Sequence, residues 1–251
     1  MSEKPANYRR VIFWALFVLP FGTIALGALS FVFYFNKQEQ ALQRSIRYAA
    51  GLRRDLNEAD LKHQEQVMLE ALAKAEPDRS KALAAFLEST LGPENMGYTV
   101  REVTDRSGLD KPALALEVEA TGGKKAQDVV LVLGGWLPGL ATLDNSTIAK
   151  PMAAFLGLAH SFAGESKVRS LRFVAVQDLK ALKAYYLEGV GFRDRIQQLV
   201  LLGGAEAMSD ADVLAALHLE SRGTVLLRPK AGSLAEAEAL RKQVSDLAER
   251  L

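Results

Sequence analysis

Residues 128–145, DVVLVLGGWLPGLATLDN, decide the fold class. Within this stretch, residues 129–133 are apolar without alternation, which is typical of a strand covered on both faces. Residues 151–163 then place apolar side chains at helical spacing, so we predict a helix that begins at Pro151. A buried strand followed by a helix is the repeating unit of α/β proteins, whose ligands bind beyond the carboxyl ends of the strands. The polar pair Asp144-Asn145 lies at such an end, although the stretch contains no His, Cys or Glu.

The pattern on both sides of this stretch predicts further strands and helices. Residues 98–103 and 113–120 alternate as the strands of a hairpin do. Three later strands are predicted at residues 170–177, 196–202 and 224–227, and they alternate with helices at residues 179–187, 210–219 and 233–251. We therefore predict an α/β fold with a mixed, mainly parallel sheet of about six strands flanked by helices.

Residues 11–35 form an apolar segment without a single charged residue. As a helix it exceeds the ~30 Å hydrocarbon core of a bilayer, and Trp14 and Tyr34 lie near its ends, where interfacial anchors are expected. A signal peptide is the alternative, but its apolar part is only about 7–15 residues long. We predict a short tail at residues 1–10 and one transmembrane helix. Its orientation stays open, because long domains translocate largely regardless of flanking charges.

Residues 36–96 are predicted to form a helical stalk or helical pair. Residues 36–75 are rich in helix formers and contain no proline, so one long helix is expected to continue out of the membrane. A second helix is predicted from Pro77 to Leu91. The stalk either packs on its own domain or forms a parallel coiled coil. The α/β domain then comprises residues 97–251.

Composition excludes several classes of function. The chain has 251 residues and a formal net charge of +1, which gives no reason to expect a nucleic-acid partner. It contains no Cys, so disulfides, thiolate metal sites and cysteine nucleophiles are excluded. Its histidines are His63, expected on a solvated helix face, His160, expected to be half-buried, and His218. No phosphate-binding loop and no serine nucleophile elbow is present.

Three segments together resemble a known family of enzymes. They are DVVLVLGGWLPG at residues 128–139, LDNSTIAKPMAAFLGLAHSF at residues 143–162 and VRSLRFVAVQDLKALKAYYL at residues 168–187. Their order resembles the di-zinc aminopeptidases and glutamate carboxypeptidases, which form metallopeptidase family 28. A later segment, IQQLVLLGG at residues 196–204, stands where the family has an Asp-bearing strand. The resemblance implies a zinc-exopeptidase-like fold and a site at the carboxyl ends of the strands.

Matched position by position, the resemblance implies that most of the family's zinc ligands are lost. The bridging aspartate is retained as Asp144, and the second glutamate of the family's Glu-Glu pair matches Asp178. The other positions match residues that do not ligate zinc or that lack the family's context: Gly135 for the first histidine, Gln177 for the general-base glutamate, Leu201-Leu202 for the later aspartate, and His218 for the final histidine. Pro151 also lies further from Asp144 than the family's helix start does, which predicts an insertion.

We interpret the chain as a degenerate member of this family. Two carboxylates without convergent histidines do not make a di-zinc centre, so no catalytic residue and no cofactor is predicted. Zinc, or a weak metal site on Asp144 and Asp178, is the alternative. Trp136, Leu137 and Pro138, which replace the metal ligands with apolar side chains, form either a filled cleft or a binding surface, together with Asp144 and Asn145.

The predicted function is that of a membrane-anchored, non-catalytic binding, scaffolding or assembly module. Its partners are the membrane, through residues 11–35, and a protein partner or a second copy of the chain. One alternative is a membrane-bound metallopeptidase or hydrolase with a divergent site. Another is a subunit whose stalk forms an oligomeric membrane complex. We expect a single-pass protein of the cell (inner) membrane, with its domain on the extracytoplasmic (periplasmic) side by analogy with the family.

Overall fold

The computed structural model describes a defined part of the chain. It covers residues 47–75, 77–105, 113–121, 125–136, 144–165, 167–187, 195–219 and 224–249, and in addition residues 12–14, 16, 21, 23–26, 29–34, 37 and 44. The chain divides into two compact units, Met1–Ser45 and Ile46–Leu251.

The first unit is helical at each residue described between 12 and 34. Its large apolar side chains are exposed, among them Phe13, Trp14, Phe21 and Phe33. No helix among the described residues is both long enough and apolar enough to cross a membrane. The predicted span at residues 11–35 falls partly on residues outside those described, and so do residues 1–10.

The second unit is built on a six-stranded sheet with the order β1-β2-β4-β3-β5-β6. β1 pairs antiparallel with β2, and β2 with β4, whereas the β3–β4, β3–β5 and β5–β6 pairs are parallel. The strands are Arg101–Asp105, Ala113–Thr121, Lys125–Gly135, Arg169–Val176, Arg195–Gly203 and Val225–Leu227. The predicted mixed α/β sheet is confirmed.

Helices cover both faces of this sheet. One face packs on α2, α3, α4 and α7, and the other packs on α5 and α6. In β3, Val130 and Val132 belong to the first core, while Val129, Leu131 and Leu133 belong to the second, which explains the unbroken apolar run. The helices are α2 Glu58–Leu72, α3 Asp78–Leu91, α4 Asn145–Ser161, α5 Leu179–Tyr185, α6 Asp210–Ala216 and α7 Leu234–Glu249. The helical residues 47–52 are called α1.

The start of α4 differs from the sequence prediction. The helix begins at Asn145, directly after its cap Asp144, and Pro151 lies inside it. Proline inside a helix costs about 3 kcal/mol. Burial of Ile148 and Ala149 in the turn before Pro151 offsets that cost. The predicted helix start at Pro151 was therefore wrong, and so was the insertion inferred from it.

The long helix predicted over residues 36–75 is interrupted. Residues 53–57 are not helical, and α2 begins after Asn57, whose Oδ1 accepts a hydrogen bond of 2.8 Å from the amide of Asp60. α2 then packs on α4, where Gly157 leaves room for Leu56 and Leu61. Tertiary packing thus overrides the local helix propensity of this segment.

Candidate functional site

The carboxyl edge of the three central parallel strands is the candidate site. β3, β4 and β5 end side by side, with Gly135 in register with Val176 on one side and with Gly203 on the other. The amide of Trp136 donates to the carbonyl of Val176 at 3.0 Å, which extends the ladder by one residue. In α/β folds this edge is where ligands bind.

Gly135 is covered by the backbone that follows β5. A methyl group added at Gly135 would lie 2.8 Å from the carbonyl carbon of Gly204 and closer still to the amide nitrogen of Ala205. The 3₁₀ turn Gly204–Ala207 can close over this point because Gly203 adopts a positive φ of 62°. No side chain, including a metal-binding histidine, fits at position 135 unless this turn moves.

Trp136 fills space beneath the edge. Its side chain is 0% exposed and belongs to the core shared with α4. The indole Nε1 has no hydrogen-bond partner among the described residues. Trp136 therefore occupies a cleft rather than lining a surface. Leu137 and Pro138, predicted with it as binding candidates, lie outside the described residues.

Asp144 is exposed and caps α4. Its Oδ2 accepts a hydrogen bond of 2.6 Å from the hydroxyl of Ser146, and its Oδ1 accepts from the Ser146 amide at 3.4 Å. These hydrogen bonds hold the pKa of Asp144 below its ordinary value, and the one from the Ser146 hydroxyl has the largest effect. Asn145, half-buried, is the first residue of the helix. Both residues thus begin α4.

Gln177 and Asp178 are engaged at the end of β4. The side-chain Oε1 of Gln177 accepts from the backbone amide of Leu114 at 3.2 Å. The backbone amide of Gln177 donates to the carbonyl of Leu114 at 3.0 Å. Gln177 therefore continues the pairing of β2 with β4. Asp178 caps α5, with its Oδ1 2.8 Å from the amide of Ala181. Both side chains complete secondary structure.

The two remaining positions implied by the resemblance are Leu201-Leu202 and His218. Leu201 and Leu202 pair with Leu133 and Gly134 near the end of β5 and are fully buried on opposite faces of the strand. His218 follows the carboxyl end of α6, with φ 49°, and stacks on Tyr186 with ring centroids 5.0 Å apart.

These positions do not fit a zinc pair. Zinc needs several nitrogen, oxygen or sulfur ligands that converge on one point. Here the first position is a closed glycine, and Asp144 and Asp178 each cap a helix. Within the described ranges, no three His, Cys, Asp or Glu side chains are grouped so that they could hold a metal ion.

The clearest charged cluster lies at the opposite, amino-terminal edge, and sequence reasoning missed it. Glu165, between α4 and β4, contacts three cations: Arg53 at 3.1 Å, Arg241 at 2.7 Å and Lys167 at 3.2 Å. We call these four residues the Glu165 cluster. Its members come from three separate segments of the chain, so no local motif indicates it.

A second missed group lies on β2. Glu117 is buried, with Arg101 at 2.9 Å and Arg172 at 3.5 Å. Burial raises the pKa of Glu117 despite the two arginines. The sequence offered one signal for this group. Glu117 lies on the same strand face as Ala115, and the alternation of β2 places that face in the core.

Comparison with solved structures identifies the fold. A Zn-dependent exopeptidase from Parabacteroides distasonis aligns with a TM-score of 0.55 and 9% identity over 78% of this chain and 99% of that chain. A leucine aminopeptidase precursor from Bacteroides thetaiotaomicron gives 0.55 and 8% over 79% and 98%. This is the zinc-exopeptidase-like fold. A glutaminyl cyclase from Porphyromonas gingivalis also shares it, with a TM-score of 0.54 and 12% identity over 76% and 98%.

Sequence comparison adds no closer relative. No protein-family model matches the chain, and no curated protein matches it. At identities near 10%, the likeness shows the fold alone. The predicted zinc-exopeptidase-like architecture is confirmed, whereas membership of metallopeptidase family 28 stays a prediction.

Proposed function

We propose that this chain is a membrane-anchored, non-catalytic peptidase-like domain that acts as a binding, scaffolding or assembly module. The observation that carries the proposal is the closure of Gly135 under the turn Gly204–Ala207. A catalytic di-zinc site needs ligands from several strand ends that converge on bridging water. Here the strand ends are occupied by glycine, leucine and helix caps, so the described residues of the edge offer neither a ligand set nor a general base.

The retained carboxylates support a structural role for the edge. Asp144 and Asp178 each accept backbone amide hydrogen bonds at a helix start, which is a common stabilising use of aspartate. Gln177 cannot accept a proton at neutral pH, and its oxygen is bonded to Leu114. A fold that keeps its scaffold without its chemical groups is suited to binding another macromolecule.

The membrane part of the proposal rests on the first unit. Residues 11–35 carry no charge, and the described side chains among them are exposed apolar groups, including Trp14 at 68% and Phe33 at 70%. Soluble proteins rarely expose large contiguous apolar patches. A bilayer is the environment that best satisfies such a helix, with the domain on the extracytoplasmic side.

Metal analysis tests the non-catalytic role. The full-length protein, purified in detergent, is expected to hold no stoichiometric zinc and to hydrolyse no aminoacyl substrate. The assay includes N-terminal glutaminyl peptides, because glutaminyl cyclases share the fold. Two zinc ions per chain that a chelator removes together with activity would overturn the proposal in favour of a divergent hydrolase.

Membrane extraction and a reporter fusion test the anchor. The chain is expected to remain in the membrane fraction after alkaline carbonate washing and to be released by detergent. A reporter placed after Leu251 that is active only outside the cytoplasm is expected to be active. Release by carbonate would contradict the anchor, and a reporter active only in the cytoplasm would contradict the orientation.

A further inference from the structure

The break between α1 and α2 has both a local and a long-range cause. Asn57 caps α2, with its Oδ1 2.8 Å from the amide of Asp60, and neither Asp55 nor Asn57 is a strong helix former. Residues 53–57 nevertheless contain neither glycine nor proline, and arginine and leucine are good helix formers. The flanking residues 47–52 and Glu58–Leu72 are helical. A continuous helix is therefore accessible to this segment, and contacts with the rest of the unit add to the cap in holding the break open.

The first such contact involves the carbonyl of Leu52, the last helical residue of α1. The Nε2 of His160 lies 2.8 Å from this oxygen. In a continuous helix, the carbonyl of Leu52 would accept from the amide of Leu56, four residues later. His160 thus takes the place of a helical hydrogen bond at the point where the helix stops.

The second contact is the Glu165 cluster. Arg53, the first residue of the break, donates from Nη1 to Oε1 of Glu165 at 3.1 Å. Glu165 is mostly buried and is held by Lys167 and Arg241, so it is a fixed acceptor. The side chain of Arg53 is 43% exposed, against 15% for Glu165. The ion pair therefore holds the start of residues 53–57 against the domain.

The third contact is close packing on glycines. A methyl group at Gly157 would lie 2.8 Å from Cδ2 of Leu56, and one at Gly97 would lie 2.7 Å from Cα of Ala49. At Gly164 a methyl group would lie 2.6 Å from Cβ of Ala50. Residues on both sides of the break therefore pack closely against the domain.

We propose that residues 53–57 are a two-state hinge. In the docked state the break is held by His160, Glu165 and Gly157. In the released state these contacts are lost, and α1 and α2 join into one straight helix. A switch of this kind needs two packings of one segment that differ by only a few kcal/mol. Here local helix propensity opposes a small set of specific contacts.

The hinge would set the direction in which α1 leaves the domain. The docked segment meets the domain at the amino-terminal edge of the sheet, where α4 ends and β4 begins. Straightening the helix would move α1 away from this edge without any change in the sheet.

Distance measurements between spin labels test the hinge in the full-length protein in detergent. The chain has no cysteine, so Arg47→Cys with Gln66→Cys, and separately Tyr48→Cys with Glu94→Cys, label single pairs. A straight helix places the Cα atoms of positions 47 and 66 about 28 Å apart, at ~1.5 Å per residue. Glu165→Gln and Gly157→Leu are each expected to raise the population near that distance and to lengthen the 48–94 distance.

The matched control is Glu249→Gln. Glu249 also pairs with Lys167, at 3.0 Å, but in the described part of the chain it makes no ion pair with residues 47–57. It should leave both distances unchanged. Circular dichroism gives a second readout, because straightening adds helix whereas fraying of α1 removes it. Unchanged distances in both test variants, or broad distances with lost helicity, would overturn the hinge. Either result leaves metal content and carbonate extraction, which test the proposed function, unaffected.

Discussion

The two edges of the central sheet use charge in opposite ways. At the carboxyl edge, Asp144 and Asp178 accept from backbone amides next to them in sequence. At the amino-terminal edge, Glu165 joins its neighbour Lys167 to Arg53 and Arg241 from distant segments. The two carboxylates of the carboxyl edge therefore make local contacts, whereas Glu165 belongs to a network that holds separate parts of the chain together.

This difference shows that the two edges are held together by different kinds of contact. At the carboxyl edge, the backbone after β5 packs on Gly135, and the side chains around it are buried and apolar. The amino-terminal edge fixes residues 47–57 on the domain through side chains that are far apart in sequence.

The largest effect is expected for Gly135→Ala. The added methyl group would overlap the backbone of Gly204 and Ala205, and overpacking of this kind costs about 3 kcal/mol. Gly51→Ala is the matched control, because nothing lies within 4 Å of a methyl group there, and alanine in a helix adds up to ~1 kcal/mol. Urea titration gives both free energies of unfolding. Equal stability of the two variants would mean that the carboxyl edge is open.

A smaller effect is expected for Arg241→Ala. Its Nη2 donates to Glu165 at 2.7 Å and to the carbonyl of Ser161 at 3.3 Å, and its guanidinium lies 5.0 Å from the ring centre of Phe162. Loss of these contacts should lower the free energy of unfolding by about 2 kcal/mol. Arg241→Lys keeps the charge without the planar fork and should lose about half as much. If the alanine variant loses no free energy of unfolding, the Glu165 cluster contributes no more than an ordinary surface ion pair.

The parts of the fold that sequence predicts are those set by short-range pattern. The apolar run of β3 predicts a strand covered on both faces, because its side chains alternate between two cores. The start of α4 and the break at residues 53–57 were not predictable in this way. Both depend on burial against partners far along the chain, which outweighs proline and helix propensity.

The candidate site shows the same limit. Matching the sequence to the family's pattern identified which residues stand at the strand ends, but not what they contact. That Gly135 lies under Ala205 follows only from three-dimensional packing. The Glu165 cluster was missed because Arg53 and Glu165 are 112 positions apart in sequence.

Asp178→Ala should cost about 1 kcal/mol, the usual effect of losing a helix cap. Asp178→Asn keeps an oxygen that can accept from the amide of Ala181, so its free energy of unfolding should be nearly that of the parent. The pair separates a cap from a metal ligand at the carboxyl edge. If asparagine is as harmful as alanine, and added zinc stabilises only the parent, the carboxylate binds metal and the contrast between the edges fails.

The smallest effect concerns His160, beside the amino-terminal edge. Burial lowers its pKa first, and Arg54 lowers it further, against the opposing effects of the Leu52 carbonyl and Asp60. The folded chain thus binds protons at His160 less readily than the unfolded chain. The stability contributed by the neutral ring is complete above the unfolded pKa of about 6.5 and is lost as pH falls through the folded pKa.

His160→Gln keeps a donor for the Leu52 carbonyl but does not titrate, so it should remove this part of the pH dependence. The melting temperature of the parent should fall more than that of the variant between pH 7.5 and pH 5. His63→Gln, on the exposed face of α2, is the matched control and should follow the parent. If His160→Gln also follows the parent, the ring does not titrate against the docked segment.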